Sequence, residues 1–125
     1  MVQRLRASQA ALEAATASPD INEADIVARM VDIATGLYQH VLVDGQADPI
    51  EYQHSMGAAL AARAMLVQHQ NELRRRDMGA YSRALAELNR LEALWPSREP
   101  PSEPATYQEV LVQGSRVRLA LSPYL

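Results

Sequence analysis

The sequence predicts an all-α fold in one domain. Three stretches repeat apolar residues at the spacing of a helix face, and breaks rich in helix-capping residues separate them. The chain has 125 residues, of which 48% are hydrophobic, which suffices for a single core. We therefore expect a compact helical bundle of three long helices, with a weak N-terminal helix, a Pro-rich linker and a short C-terminal docking tail.

The N-terminal helix is expected over residues 2–17. Leu5, Leu12 and Ala15 share one side of it, but this apolar stripe is thin. The sequence SPDINEAD then interrupts the chain and offers Asp20 or Asn22 as the cap of the next helix. The thin stripe predicts a helix that packs late, or only against a partner.

The first long helix is predicted over Glu23–Val43, before a turn that contains Gly45. Asp25, Arg29 and Asp32 have the spacing of surface ion pairs along its polar side. Its opposite face is broad and apolar. The residues of that face are Ile26, Val27, Met30, Ile33, Ala34, Leu37, Tyr38 and Val41.

The second long helix is predicted over Pro49–Arg76. Asp48 is a favourable N-cap, and proline suits the first helical position. The middle of this helix is apolar on almost every side, which predicts a central place in the bundle. Gly57, Ala61 and Ala64 form a ridge of small residues that permits close packing.

The third long helix is predicted over Ala80–Trp95. Its apolar face opposes the charged residues Arg83, Glu87 and Arg90, whose spacing is typical of a solvated surface. The apolar residues are Tyr81, Ala84, Leu85, Leu88, Leu91 and Trp95.

The C-terminal part divides into a linker and a tail. The stretch PSREPPSEP excludes a helix and favours an extended, stiff linker. After it, the capping-box pattern Thr106–Glu109 predicts a short helix that ends before Gly114, and the alternation of Arg116–Leu121 predicts a strand. The predicted organisation is a helical domain at 1–95, a linker at 96–105 and a docking tail at 106–125.

The tail is too apolar for a disordered segment, so we expect it to dock on a folded protein surface. The hypothesis is docking in trans, on a second copy or on another protein. The candidate partner-binding residues are Tyr107, Val110, Val112, Val117, Leu119 and Leu121. Folding back onto the parent helices is the alternative, because an extended linker of this length reaches roughly 28 Å.

Composition narrows the class of protein. The net charge of −3 argues against a general nucleic-acid binder, and the lack of cysteine excludes disulfides and thiolate metal sites. All basic residues are arginine and alanine is abundant, a bias typical of GC-rich bacterial or phage genomes. The N-terminus has no secretory pattern, and the densest apolar stretch, Met56–Val67, is too short to span a bilayer. We expect a cytoplasmic protein without membrane contact.

Glu51 and His54 have the E-x-x-H spacing of metal ligands in helical bundles. Such a site needs further inward carboxylates, and the other helices place theirs on polar faces. Glu51 also occupies the third position after the cap Asp48, where a carboxylate completes a capping box. We favour the capping interpretation and expect no metal and no other cofactor. His40 and His69 have no catalytic partner at a recognisable spacing.

Arg74, Arg75 and Arg76 form the basic cluster of the sequence. They could contact an anion or nucleic acid, or they could complement the dipole at the end of their helix. The sequence has no nucleophile elbow, phosphate loop or dinucleotide fingerprint, so we expect no enzyme.

The stretch GAYSRALAELNRLEALWP resembles the second helix of a tetratricopeptide repeat. Gly79, Tyr81, Ala84 and Pro96 match the small, aromatic, small and proline positions of that family. The helix before it departs from the pattern, and no second copy follows at the period of the family. The resemblance implies protein binding.

The leading interpretation is a non-catalytic interaction protein, such as a small helical adaptor, an assembly factor or a chaperone-like subunit. One alternative is a nucleic-acid-associated regulator that uses Arg74–Arg76. Another is a small helical metalloprotein that uses Glu51 and His54. We also expect a homo-oligomer, because too few amphipathic helices are available to cover the apolar second helix.

Overall fold

The fold is all-α, in a computed structural model that describes residues 22–125. The helix predicted over residues 2–17 lies outside the described part. The regular elements are α1 (Glu23–Tyr38), β1 (Leu42–Val43), β2 (Gln46–Ala47), α2 (Pro49–Gln68), α3 (Gln70–Arg76), α4 (Met78–Glu92), α5 (Tyr107–Leu121) and a closing 3₁₀ turn (Ser122–Tyr124). None of these helices is long and apolar enough to cross a bilayer.

Helix α1 begins at the cap Asn22, whose side chain accepts a hydrogen bond from the amide of Ala24 at 3.0 Å. It ends at Tyr38 and not at Val43 as predicted. The residues beyond Tyr38 form a two-stranded hairpin, in which Asp44 and Gly45 adopt positive φ angles of 54° and 81°. Asp-Gly is a favoured pair for this left-handed turn, so the local sequence stops the helix.

The predicted second helix is divided at His69 into α2 and α3. The backbone there departs from helical angles (φ −103°, ψ 21°). The His69 amide still bonds to the Met65 carbonyl at 3.2 Å, and the Leu73 amide bonds to the His69 carbonyl at 3.1 Å. The chain therefore bends at His69 while these two hydrogen bonds span the bend. Asp77 then caps α4 through the amide of Ala80 at 2.9 Å.

The small-residue ridge of α2 does not pack as predicted. Gly57 and Ala64 are exposed, and no atom lies within 4 Å of a Cβ built on Gly57. The buried side of α2 carries Tyr52, Ser55, Ala59, Ala62 and Leu66. A helix that is apolar on most sides does not reveal from its own sequence which side faces the core.

The predicted strand at Arg116–Leu121 is wrong, because this segment belongs to α5. The capping box is present: the Thr106 hydroxyl accepts from the Glu109 amide at 3.0 Å, and the Glu109 carboxylate accepts from the Thr106 amide at 2.8 Å. The helix then continues through Gly114. A helix satisfies its own backbone hydrogen bonds, whereas the lone strand would have needed a partner.

Four long helices, α1, α2, α4 and α5, pack side by side, each against two neighbours. Helix α1 contacts α2 and α5, and α4 contacts the same two helices from the other side. The Asn22 side chain, at the start of α1, donates to the Tyr124 carbonyl beyond the end of α5. The Tyr38 hydroxyl, at the end of α1, donates to the Ala105 carbonyl just before the start of α5, so the two helices are antiparallel. The tail therefore supplies the fourth long helix of the same core.

A polar and aromatic cluster closes the end of the bundle where α4 stops. The Tyr38 ring meets the Trp95 ring edge-on at 5.6 Å, and the Trp95 indole donates to the buried Ser55 hydroxyl at 3.0 Å. The Ser55 hydroxyl donates in turn to the Tyr52 carbonyl at 2.9 Å. These bonds hold Trp95 in place, so the Pro-rich segment starts from a fixed point.

The Pro-rich segment folds back along its own helices. The Gln53 side-chain amide donates to the Arg98 carbonyl at 3.2 Å, and the Tyr38 hydroxyl donates to the Ala105 carbonyl at 2.6 Å. These contacts return the chain to the beginning of α5. In this structure the tail folds back onto its parent helices, which is the alternative to docking in trans.

We expect stability to fall as the pH rises above 10. Burial, with a smaller contribution from the charges of Tyr52 and Glu109, raises the pKa of Tyr38 from 10.0 to about 12. The unfolded chain loses this proton at lower pH than the folded protein does. The stabilisation is therefore complete below pH 10 and is lost as the pH rises through about 12. Circular dichroism during alkaline titration measures the decline, and Tyr38→Phe should make it shallower. An identical decline in the variant would contradict this assignment.

A candidate protein-interaction groove

The structure separates the six predicted partner-binding residues into two groups. Val110, Val117 and Leu121 are completely buried against the chain's own helices, and Tyr107 is partly buried. They offer a partner little or no surface in this conformation. Val112 and Leu119 remain exposed, at 46% and 73% of their surface. Their role as partner-binding residues stays a prediction.

The two exposed residues line two adjacent pockets beside α4 and α5, which share Arg116 and which together we call the α4–α5 groove. Its two halves, of about 370 and 570 Å³, meet at Arg116. The neutral half is lined by Leu94, Thr106, Gln108, Glu109, Val112, Gln113 and Arg116. The basic half is lined by Arg83, Ala86, Glu87, Arg90, Arg116, Leu119 and Ala120.

Gln113 fixes the two walls of the groove. Its buried side-chain amide donates to the Glu87 carbonyl oxygen at 2.9 Å and to the Glu87 carboxylate at 2.8 Å. Arg90 approaches the second carboxylate oxygen at 3.0 Å. The Gln113 hydrogen bond, followed by Arg90, lowers the pKa of Glu87 against the opposing effect of burial. Glu87 is therefore a charged, hydrogen-bonded link between the helices.

The basic half of the groove carries more positive than negative charge. Arg83, Arg90 and Arg116 line it together with a single carboxylate, Glu87. Both Glu87 oxygens already have partners in Gln113 and Arg90. Within residues 22–125, Arg83 and Arg116 form no ion pair with a carboxylate. Two cationic side chains therefore flank an apolar floor made by Ala86, Leu119 and Ala120.

The predicted basic cluster, Arg74–Arg76, makes contacts within the protein. The Arg74 guanidinium lies over the Tyr81 ring and the Arg76 guanidinium over the Tyr124 ring, each 5.2 Å from the centroid. Arg75 forms an ion pair with Glu72. All three end α3, where cations complement the helix dipole. These contacts explain why three arginines lie together at the end of α3. Contact with an anion or nucleic acid stays a prediction.

Glu51 and His54 lie on the exposed side of α2, with 4.0 Å between the Glu51 carboxylate and the His54 ring nitrogen. No group of three or more His, Asp or Glu residues suited to a metal ion occurs in residues 22–125. The predicted capping box needs correction. The Asp48 carboxylate does cap α2. The Asp48 backbone amide, which a capping box would pair with the Glu51 side chain, instead donates to the Val41 carbonyl at 2.8 Å.

We expect Asp48→Ala to lower the free energy of unfolding by about 1 kcal/mol, because the Asp48 carboxylate accepts from the amides of Ile50 and Glu51. Glu51→Gln should change it by less than about 0.5 kcal/mol, as a surface substitution does. Urea unfolding measures both. Loss of a stoichiometric bound metal on Glu51→Gln would show instead that Glu51 is a ligand.

The other histidines stand apart from the groove. His40 is exposed beyond the end of α1, and His69 is partly buried at the α2–α3 bend. Neither belongs to the residues that line either half of the α4–α5 groove. The structure gives neither histidine a role in this candidate site.

The candidate site predicted from sequence left out most residues that line the groove, among them four that carry its polar contacts and its charge. Arg83 and Arg90 have the spacing of a solvated helix face, and Arg116 fell within the predicted strand. Gln113 lies next to Gly114, before which the last helix was predicted to end, and no sequence pattern marks it as a contact residue. One signal was available: Val112, Arg116 and Leu119 follow the i, i+4, i+7 spacing of a helix face.

Neither a protein-family model, nor a curated protein, nor a solved structure matches the chain. The tetratricopeptide resemblance of Gly79–Pro96 therefore remains a local similarity of sequence. Helix α4 follows the seven-residue helix α3, and its buried face packs in a four-helix arrangement. Any function must be inferred from the chain's own geometry.

Proposed function

We propose that this protein is a non-catalytic interaction module, such as a small helical adaptor, an assembly factor or a chaperone-like subunit, and that the α4–α5 groove is its contact surface. The observation that carries the proposal is the exposure of Val112 and Leu119 within that groove. Leu119 is the most exposed large apolar side chain in residues 22–125. Exposed apolar residues in a groove are typical of protein interfaces.

The chemistry of the groove supports binding more than catalysis. Its lining combines alanine, leucine and valine with arginine and glutamate. The Thr106 hydroxyl accepts the capping hydrogen bond of α5, and Glu87 is hydrogen-bonded by Gln113. These hydrogen bonds give Thr106 and Glu87 structural roles, which supports a groove used for binding. The proposal also places the protein in the cytoplasm.

A matched set of variants tests the proposal. The groove variant, Val112→Ser with Leu119→Ser, removes two exposed apolar side chains from the groove. The control variant, Val43→Ser with Leu125→Ser, removes the same residue types from other exposed sites, at 56% and 52% exposure. Affinity capture from the native organism, with quantitative mass spectrometry, compares both variants with the wild type.

We expect one or more proteins captured by the wild type to be lost with the groove variant and kept with the control variant. The purified partner should then bind the wild type directly and the groove variant at least tenfold more weakly. Equal capture by all three proteins would contradict the proposal. Selective loss with the control variant would place the interface elsewhere.

Self-association is part of the same proposal. A second groove, lined by residues that include Met56, Leu60, Ala93 and Pro96, lies between α2 and α4 and leaves apolar surface exposed. Small domains commonly cover such surface by forming oligomers. We expect sedimentation at micromolar concentration to give a mass above 13.8 kDa, the mass of one chain. A mass equal to one chain would contradict the oligomer.

A further inference from the structure

The charge of the α4–α5 groove changes along its length. In the basic half, three arginines face one carboxylate, and that carboxylate already has hydrogen-bond partners on both oxygens. In the neutral half, Arg116 faces Glu109, whose carboxylate accepts from the Thr106 amide. Within the described residues 22–125, an occupant of the groove therefore meets positive charge without an ion-pair partner from Arg116, where the halves meet, to Arg83 at one end.

The shape of the groove fits a helix. It follows α4 from Arg83 to the end of the helix and reaches Leu94 just beyond it, a span of roughly 17 Å at a helical rise of 1.5 Å per residue, or about three turns. Apolar residues lie along it, with Ala86 and Leu119 in the basic half and Leu94 and Val112 in the neutral half. An amphipathic helix places an apolar stripe into such a groove and its charged residues against the rims.

We propose that the α4–α5 groove binds an amphipathic helix of a partner protein, and that Asp or Glu residues beside the apolar stripe of that helix pair with Arg83 and Arg116. This inference rests on the proposed function and names the chemistry of the partner. The positive charge of the basic half complements negatively charged carboxylates and therefore favours a partner that carries them.

A protein helix fits the groove better than a nucleic acid does. The floor of the basic half is apolar, and Leu119 would gain nothing from a phosphate backbone. Glu87 and Glu109 also line the walls, where they would repel successive phosphates. An amphipathic helix with one acidic end would cover the apolar floor and would place its negative charge against the arginines of the basic half.

Two designed peptides of three to four helical turns test the inference. Both carry leucine at i, i+3, i+4 and i+7, and they differ only in flanking residues, which are glutamate in one and lysine in the other. Fluorescence anisotropy measures the binding of each labelled peptide to the full chain. We expect the glutamate peptide to bind about tenfold more tightly, since each exposed ion pair is individually weak. Added salt should reduce this preference.

Charge reversal in the protein supplies the decisive comparison. Arg83→Glu with Arg116→Glu should abolish or invert the preference for the glutamate peptide. Arg98→Glu with Arg29→Glu makes the same change in charge at exposed positions that do not line the groove, and it should keep the preference. Leu119→Ser should weaken binding of the glutamate peptide and leave the sign of the preference unchanged. Circular dichroism confirms that each variant remains helical.

Several results would overturn the inference. The protein could bind both peptides with equal affinity, or it could bind neither peptide. The control with Arg29→Glu and Arg98→Glu could also lose the preference for the glutamate peptide. Tighter, Arg116-dependent binding of a labelled DNA duplex would assign the groove to nucleic acid. A sedimentation mass that falls to one chain on reversal of Arg83 and Arg116 would assign it to a second copy. Partner capture that still depends on Leu119 would keep the proposed function while the inference on charge fails.

Discussion

Truncation after Pro96 is expected to unfold the helical body. The deleted part contains Val110, Val117, Leu121 and Tyr124, all of which are buried in the shared core. Burial of a large apolar side chain contributes about 1.5–3 kcal/mol, so these four contribute roughly 6–12 kcal/mol. The total stability of a domain is about 5–15 kcal/mol. The far-ultraviolet circular dichroism of the truncated chain should therefore show loss of helix, with no cooperative thermal transition.

The groove variant, Val112→Ser with Leu119→Ser, is the control for this truncation. It changes the exposed side of α5 and leaves the buried side intact, so its helical signal and midpoint should stay close to those of the wild type. A truncated chain that remains helical and melts cooperatively would show that α1 to α4 fold alone. The tail would then be a separate docking element, as the sequence suggested.

Helices α1, α2 and α4 could be predicted because their signals are local. Asn22, Asp48 and Asp77 cap helices in the structure through their own side chains. Apolar periodicity and capping do not depend on distant residues, so the sequence predicts the start of α1 and α2 at their caps and places the start of α4 at Ala80, two residues late. Their ends were less certain, since the hairpin at Asp44 and the bend at His69 compete with continuation of the helix.

Helix α5 could not be predicted in full, because its sequence is compatible with two structures. Arg116–Leu121 alternates like a strand, but Val110, Val117 and Leu121 have helical spacing. Gly114 has low helix propensity, which favoured a stop before it. Contact with α1 decides between the two structures, and a contact between positions far apart in the chain cannot be inferred from a short apolar run.

The α4–α5 groove was not predictable for the same reason. Arg83 and Arg90 belong to a charged helix face, and only the neighbouring α5 turns that face into one wall of a groove. The ion pair expected between Arg29 and Asp32 illustrates the same point. Asp32 instead contacts Arg118 of α5 at 2.7 Å, and Arg29 keeps its pair with Asp25 at 3.1 Å. Placement of α5 thus determines the candidate site.

Gly114→Ala is expected to destabilise the protein, although alanine is the better helix former. A Cβ at position 114 would lie 2.7 Å from Thr35 Cγ2 and 3.6 Å from Val31 Cγ1. The Thr35 hydroxyl donates to the Asp32 carbonyl at 3.0 Å, which holds its methyl group in place. Overpacking costs about 1–3 kcal/mol, and the gain in helix propensity offsets about 1 kcal/mol of it. Urea unfolding should show a net loss of up to about 2 kcal/mol.

Two further variants separate this packing effect from the general effect of glycine in a helix. Gly57→Ala, in the middle of α2, meets no atom within 4 Å and should stabilise the protein by about 0.5–1 kcal/mol. Thr35→Ser removes Cγ2 but keeps the hydroxyl, so it should restore much of the stability lost in Gly114→Ala. The double-mutant cycle should then give a coupling free energy of about 1 kcal/mol between positions 35 and 114. A coupling near zero would mean that α5 does not approach α1 as closely as the structure has it, and the assignment of α5 to the shared core would fail with it.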